Sequence, residues 1–143
     1  MYRAVLDTNV FVSGGVISNS YPSQVIDQWR AGTFTLVVSP TLLEEYNEVL
    51  FRPQIRKYTG LTVEETRQYI SEIEKRSYMT SGILELNILT DDSDDNMVLA
   101  CAVEGHASHL VTGNQKHFPF KSYQGVTIVT PRKFIDVLEG YKS

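Results

Sequence analysis

Short apolar runs alternate with segments of helical periodicity along most of the chain. The apolar runs predict five buried strands, at residues 2–6, 34–38, 83–89, 109–112 and 126–129. Between and after them, apolar residues at helical spacing predict helices at residues 22–31, 39–51, 62–78, 94–104 and 131–138. Helix-start signals support two of these helices: Ser39-Pro40, and the capping-box pattern Thr62-Val63-Glu64-Glu65.

This alternation predicts an α/β fold. Short apolar strands separated by helices are typical of a parallel sheet that is covered on both faces. No repeat, low-complexity tract or Ser/Gly/Pro linker divides the sequence, so we expect one domain over residues 1–143. We therefore predict a three-layer α/β/α sandwich around a mostly parallel sheet of four to five strands. In such sheets the ligand crevice lies outside the carboxyl ends of the strands.

Composition narrows the class of protein. The sequence has one cysteine, Cys101, which excludes a disulfide framework and is typical of a cytoplasmic protein. Cys101 lies in an apolar pattern, which favours a buried role. No apolar run has the length of a signal peptide or a membrane span, so we expect no membrane association. A net charge of −4 disfavours a protein that coats nucleic acid, but is compatible with an enzyme that cuts it.

Acidic side chains occur where the predicted crevice should be. Asp7 follows the first strand; alone, it is equally explained as a turn or helix-capping residue. Glu45 lies at the border of an apolar helical stripe with no basic residue within one turn. Because an unpaired buried charge is costly, Glu45 requires a metal ion or a distant cation. Glu44 and Glu48 lie on the opposite side of the same helix, and Glu48 is placed to pair with Arg52.

The stretch DDSDDN, residues 91–96, places four carboxylates within five residues at the start of a helix. One or two aspartates there are explained by interaction with the helix dipole and free N–H groups. Four repel one another, and a divalent cation that prefers oxygen ligands, Mg²⁺ or Mn²⁺, resolves that conflict. An EF-hand is excluded, since the glycine and the final glutamate of that loop are missing.

Four motifs in this order resemble the PIN domain family: VLDTN, SPTLLEEYNEVL, DDSDDNMVLACA and LVTGNQKHF. The resemblance extends from Tyr2 to about Phe134. It implies a small α/β/α metal-dependent ribonuclease, and in many prokaryotic members the toxin of a toxin–antitoxin pair. It further implies that Asp7, Glu45 and Asp95 are metal-site acids, which Asn9 and Thr112 support.

Asn114 departs from the commonest family pattern, which has an aspartate after Thr-Gly. Asparagine offers a carbonyl oxygen but no charge, so a second metal requires a carboxylate from Asp92 or Asp94. Asp92 is therefore included among the candidate ligands, and Asn114 among the candidate catalytic residues.

Two alternatives to an active ribonuclease stay open. A PIN-like domain that has lost catalysis would act as a nucleic-acid or protein binding module. A phosphohydrolase with Asp7 as nucleophile needs a second aspartate where Asn9 stands.

The expected substrate is single-stranded or structured RNA, cut by a metal-activated water. Positively charged residues that follow the acidic motifs are the candidate phosphate contacts: Arg52, Arg56, Lys57, Lys116, Lys121, Arg132 and Lys133. His117 and Lys116 are expected nearest the crevice, while His106 and His109 are interpreted as structural or exposed. Candidate stacking aromatics are Tyr58, Phe118, Phe120 and Tyr123. The resemblance also implies an antitoxin partner and a homodimer.

Overall fold

A computed structural model of the protein describes residues 1–15, 19–89 and 93–140. Its strands are β1 (Tyr2–Leu6), β2 (Phe34–Val38), β3 (Tyr78–Met79), β4 (His109–Val111), β5 (Ser122–Tyr123) and β6 (Val126–Val129). Its helices are α1 (Thr8–Gly14), α2 (Tyr21–Arg30), α3 (Pro40–Leu50), α4 (Pro53–Thr59), α5 (Val63–Lys75), α6 (Ser93–Glu104) and α7 (Pro131–Leu138). A single 3₁₀ turn covers Gln115–His117. None of the helices in these ranges combines the length and apolarity needed to cross a bilayer.

The strands form one sheet in the order β3-β2-β1-β4-β6-β5. All neighbours are parallel except β5 and β6, which are antiparallel. The predicted α/β class and central parallel sheet are therefore confirmed. The sheet has six strands rather than four to five, because the two-residue strands β3 and β5 extend its two edges.

Helices cover both faces of the sheet. Ala4, Val5 and Leu6 are consecutive in β1 and all fully buried, although successive side chains point to opposite faces. In β2, Phe34 packs edge-to-face on Phe134 of α7, with ring centroids 5.0 Å apart. Val37, on the other face of the same strand, lies against Gly105 at the end of α6. The core thus has two halves, one under α7 and one under α6.

Most of the predicted elements are confirmed, and their start signals act as expected. The Ser39 side chain accepts a hydrogen bond from the N–H of Leu42, and Thr62 and Glu65 form the capping box. The predicted strand at residues 83–89 is wrong: residues 80–89 are irregular, and pairing with β2 is made by β3 instead. The predicted helix at 62–78 ends at Lys75, and the sequence patterns missed α1, α4 and β5.

Gly105 is required where α6 meets β2. A Cβ atom at this position would lie 2.3 Å from Cγ1 of Val37 and 3.1 Å from Cγ2 of Thr80. Gly105→Ala is therefore expected to lower the free energy of unfolding by about 1–3 kcal/mol, the usual cost of overpacking. Denaturant unfolding measures it. Gly15→Ala is the control, because its added Cβ would meet only ordinary contacts of 3.4 Å or more; equal losses in both variants would contradict the packing argument.

Candidate active site

Asp7 lies where β1 ends, at the carboxyl edge of the sheet. Its Oδ1 accepts a hydrogen bond from the N–H of Thr8 at 2.8 Å, so Asp7 caps α1. Its Oδ2 accepts a hydrogen bond from the hydroxyl of Thr112, also at 2.8 Å. Thr112 follows β4, and the register pairs Leu6 with Val111 directly before these two residues. Adjacent parallel strands therefore present Asp7 and Thr112 side by side.

Glu45 reaches the same edge from α3. Its neighbour Tyr46 is fully buried and donates its hydroxyl to the backbone carbonyl of Leu6, which fixes α3 against the end of β1. The Glu45 carboxylate accepts a hydrogen bond from the hydroxyl of Thr8. Thr8 therefore bridges the two acids: its backbone N–H holds Asp7 and its side chain holds Glu45.

The pKa of Glu45 is raised to about 7, and burial is the largest cause of this rise. A hydrogen bond with Asp94 and the negative charges of Asp94 and Asp7 contribute to it, while the hydrogen bond from Thr8 lowers the pKa. Two carboxyl groups in contact are held together by a proton shared between them. The protein thus crowds three carboxyl groups, at the end of β1, on α3 and at the start of α6.

Asp95 points to a different neighbour. Its side chain is 10% exposed, and its Oδ2 lies 3.2 Å from Nδ1 of His117. The start of α6 is fixed by Asn96, whose buried side-chain amide hydrogen-bonds both the N–H and the carbonyl of Leu89. Asp94 and Asp95 are consecutive on this helix and so face different directions, Asp94 toward Glu45 and Asp95 toward the 3₁₀ turn.

The turn after β4 links the two parts of the site. Thr112, which donates to Asp7, accepts through the same hydroxyl a hydrogen bond from the N–H of Asn114 at 3.0 Å. The Asn114 carbonyl in turn accepts from the N–H of His117 at 2.9 Å. The side-chain amide of Asn9 lies near Gly113 in this turn. Asp7 and Asp95 are therefore connected through one short loop.

The chemistry of these groups fits a hard divalent cation. The acids offer oxygen atoms, the donors that Mg²⁺ and Mn²⁺ prefer. Burial and the neighbouring charges of Asp94 and Asp7 both disfavour the ionised form of Glu45, and a bound cation would offset them. Among residues 1–15, 19–89 and 93–140, no three His, Cys, Asp or Glu side chains already stand in ligand geometry. The candidate ligand Asp92 lies outside the described residues.

Other chemically notable groups lie away from these acids. Cys101 is buried, and burial raises the pKa of its thiol to about 12, which supports the structural interpretation. His109 packs against the rings of Tyr2 and Phe134, and Ser108 lies within hydrogen-bond distance of its Nδ1. The predicted Glu48–Arg52 pair is confirmed at 2.8 Å.

The sequence patterns missed three features of the site. Thr8 was not recognised as the bridge between Asp7 and Glu45. Asp94 was considered only as a substitute for a missing charge, whereas it is hydrogen-bonded to Glu45. His117 was expected at the crevice, but not against Asp95. The spacing of three residues between Asn114 and His117, one 3₁₀ turn, was the available signal for the last contact.

Two comparisons relate the chain to known proteins. A family model of the PIN domain matches residues 3–116, a stretch that includes Asp7, Glu45, Asp95 and Asn114. Uncharacterized protein MJ1680 of Methanocaldococcus jannaschii is 26% identical to the chain over 152 aligned residues. That alignment covers 99% of this chain and 94% of the relative.

Proposed function

Because the chain belongs to the PIN domain family, whose members are generally nucleases that bind divalent metals, we propose that it is a metal-dependent endoribonuclease. The proposed cofactor is Mg²⁺ or Mn²⁺ and the proposed substrate is RNA. Asp7, Glu45 and Asp95 are the proposed metal ligands, and Asn114 is a proposed catalytic residue on the turn that supports them. Asp92 remains a candidate ligand of the same site.

The convergence of carboxyl groups around Glu45 is the observation that carries this proposal. Asp7 and Asp94 raise the pKa of Glu45 from different elements of the fold, and Thr8 holds two of the three acids. Stability alone does not explain such an arrangement, because partly buried like charges oppose folding. A nuclease needs it, since a bound divalent ion supplies the acidity and positive charge that phosphodiester hydrolysis requires.

The side chains have separate tasks in the proposed reaction. Water adds to phosphorus, the bond from phosphorus to the 3′ oxygen breaks, and that oxygen takes up a proton. Thr112 and the N–H of Thr8 fix the two oxygens of Asp7, so this carboxylate keeps one orientation. Glu45, with its pKa of about 7, carries a proton that metal binding would displace. His117, with its side chain 42% exposed beside Asp95, is available to a phosphate oxygen.

Cleavage of a 5′-labelled single-stranded RNA tests the proposal. We expect cleavage with Mn²⁺ or Mg²⁺, none in excess EDTA, and full recovery when the metal is restored, because the metal supplies the charge at the reacting phosphate. A DNA oligonucleotide of the same sequence tests the preference for RNA. Equal cleavage in EDTA would contradict the metal requirement, and absence of cleavage under every metal condition would contradict the enzyme.

A second function, that of a non-catalytic binding module, is favoured by one observation: Asn114 provides no charge at its position in the turn. Metal-independent RNA binding without cleavage would identify this case.

The resemblance to prokaryotic toxins supports a narrower version of the enzyme, in which the protein is a homodimer silenced by an antitoxin protein. Growth arrest on expression, relieved by a co-expressed partner, is the observation that would identify that role.

A further inference from the structure

A groove of about 460 Å³ lies beside the turn that carries His117. It is lined by residues 115, 116 and 118–121 and by Ile128 of β6. Two hydrogen bonds fasten this segment to β6: the Gln115 side chain donates to the Ile128 carbonyl at 3.1 Å, and the Ile128 N–H donates to the Lys121 carbonyl at 2.9 Å. The groove is therefore a fixed feature of the fold, of a size typical of small-ligand sites.

The groove is lined by apolar side chains and by two lysines. Buried Phe118 and Ile128, partly buried Phe120 and exposed Pro119 form the apolar part. The Phe120 ring stacks on Tyr123, with 5.2 Å between the ring centroids and an interplanar angle of 28°. Among the described residues, the charged groups that line the groove are Lys116 and Lys121, both exposed, and no carboxylate lines it. On a chain of net charge −4, this is a local excess of positive charge.

The groove adjoins the acidic site. Lys116 lines the groove, and the next residue, His117, contacts Asp95 at 3.2 Å. A polyanion bound across this turn would thus extend from the acidic site to the groove. Phe118, Phe120 and Lys121 lie beyond the 3–116 stretch that matches the family, so the match does not account for the groove.

We propose that this groove binds one unpaired nucleobase of a single-stranded RNA whose neighbouring phosphate lies at the acidic site, an assignment that rests on the proposed nuclease function. The base stacks on Phe120 and Pro119, and Lys116 and Lys121 contact the flanking phosphates. Stacking favours an unpaired base, because the faces of a paired base are covered by its neighbours in the duplex. The lysines favour a polyanion over an apolar peptide. An apolar peptide bound in the groove would bury their positive charges without a partner.

Fluorescence anisotropy with a labelled eight-nucleotide oligouridylate in EDTA tests the groove without cleavage. Phe120→Ala is expected to raise the Kd about tenfold through lost stacking. Lys121→Gln, at an exposed position that does not endanger folding, is expected to raise the Kd and reduce the salt dependence of log Kd by about 0.7. Tyr78→Ala and Lys75→Gln, at and beside β3 on the opposite edge of the sheet, are the matched controls and should bind as wild type.

Cleavage kinetics separate this assignment from the proposed nuclease. Both groove variants should raise KM and leave kcat unchanged. If wild type cleaves RNA and both groove variants keep its KM and Kd, the groove assignment is overturned and the nuclease stands. If groove-dependent RNA binding occurs without cleavage, the groove stands and the nuclease fails. Equal affinity for duplex RNA, or groove-dependent binding of polyglutamate in place of RNA, would also overturn the assignment.

Discussion

Asp7→Asn is expected to reduce kcat/KM for RNA cleavage by at least about 100-fold, the scale on which charge-stabilising groups act in active sites. The substitution removes one negative charge and keeps the shape of the side chain. Asparagine retains an oxygen that can accept from Thr8 or Thr112, the two donors that hold Asp7. We therefore expect the fold to persist while cation binding is lost.

Calorimetric titration of Mn²⁺ measures that loss directly. Wild type should give saturable binding, and Asp7→Asn should give none at the same concentrations. Asp27→Asn is the matched control, because Asp27 is an exposed aspartate of α2 and should leave both binding and cleavage unchanged. An Asp7→Asn protein that cleaves RNA as wild type does would remove Asp7 from the proposed metal site.

The position of Asp7 was predictable from the sequence because it depends on one strand. A short apolar run that ends in a polar residue places that residue at the carboxyl edge of a parallel sheet. Glu45 was predictable for a similar reason, since helical periodicity already puts it at the border of the buried stripe. In both cases the local pattern fixes the direction of the side chain, and only the partners were unknown.

The roles of Asp94 and Asp95 depend on tertiary contacts and were not predictable. Four acids in five residues indicate a charged helix start, but not which acid faces α3. That choice is made by the rotation of α6, which Asn96 fixes through its two hydrogen bonds to Leu89. Local sequence preferences do not determine such a contact, because it depends on how α6 packs in the folded chain.

The failed strand prediction at residues 83–89 has a specific cause. Its apolar pattern fits a strand, but Glu104 accepts hydrogen bonds from the N–H groups of Gly82, Ile83 and Leu84 and from the Ser81 hydroxyl. These N–H groups are satisfied by a side chain on α6. Although burial opposes the effect, these hydrogen bonds lower the pKa of Glu104 to about 2.

Mn²⁺ affinity is expected to fall about tenfold between pH 8 and pH 6, because a proton on Glu45 competes with the metal. The pKa of Glu45 is about 7, so the side chain is mostly ionised at pH 8 and mostly protonated at pH 6. Calorimetric titrations at both pH values, at constant ionic strength, measure the change. Equal affinity at pH 6 and pH 8 would show that the metal does not displace this proton.

The same pKa shift predicts how the metal-free protein responds to pH. A pKa raised in the folded state stabilises the protein fully below the ordinary value of 4.5, and this stabilisation is lost as the pH rises through about 7. In EDTA, the midpoint of thermal unfolding of wild type should therefore fall from pH 5 to pH 8 more steeply than that of Glu45→Gln. Glu44→Gln, at the adjacent exposed position, is the control and should follow wild type.

Asp94→Asn separates the contribution of Asp94 from the other causes of the shift. Removing this charge should lower the pKa of Glu45 and move the loss of stability to lower pH, while the contribution of burial remains. An unchanged pH profile in Asp94→Asn would assign the shift to burial and the charge of Asp7. A shifted profile, together with stronger Mn²⁺ binding by wild type at pH 8, would mean that Glu45 and Asp94 hold one proton in the place that a cation takes when it binds.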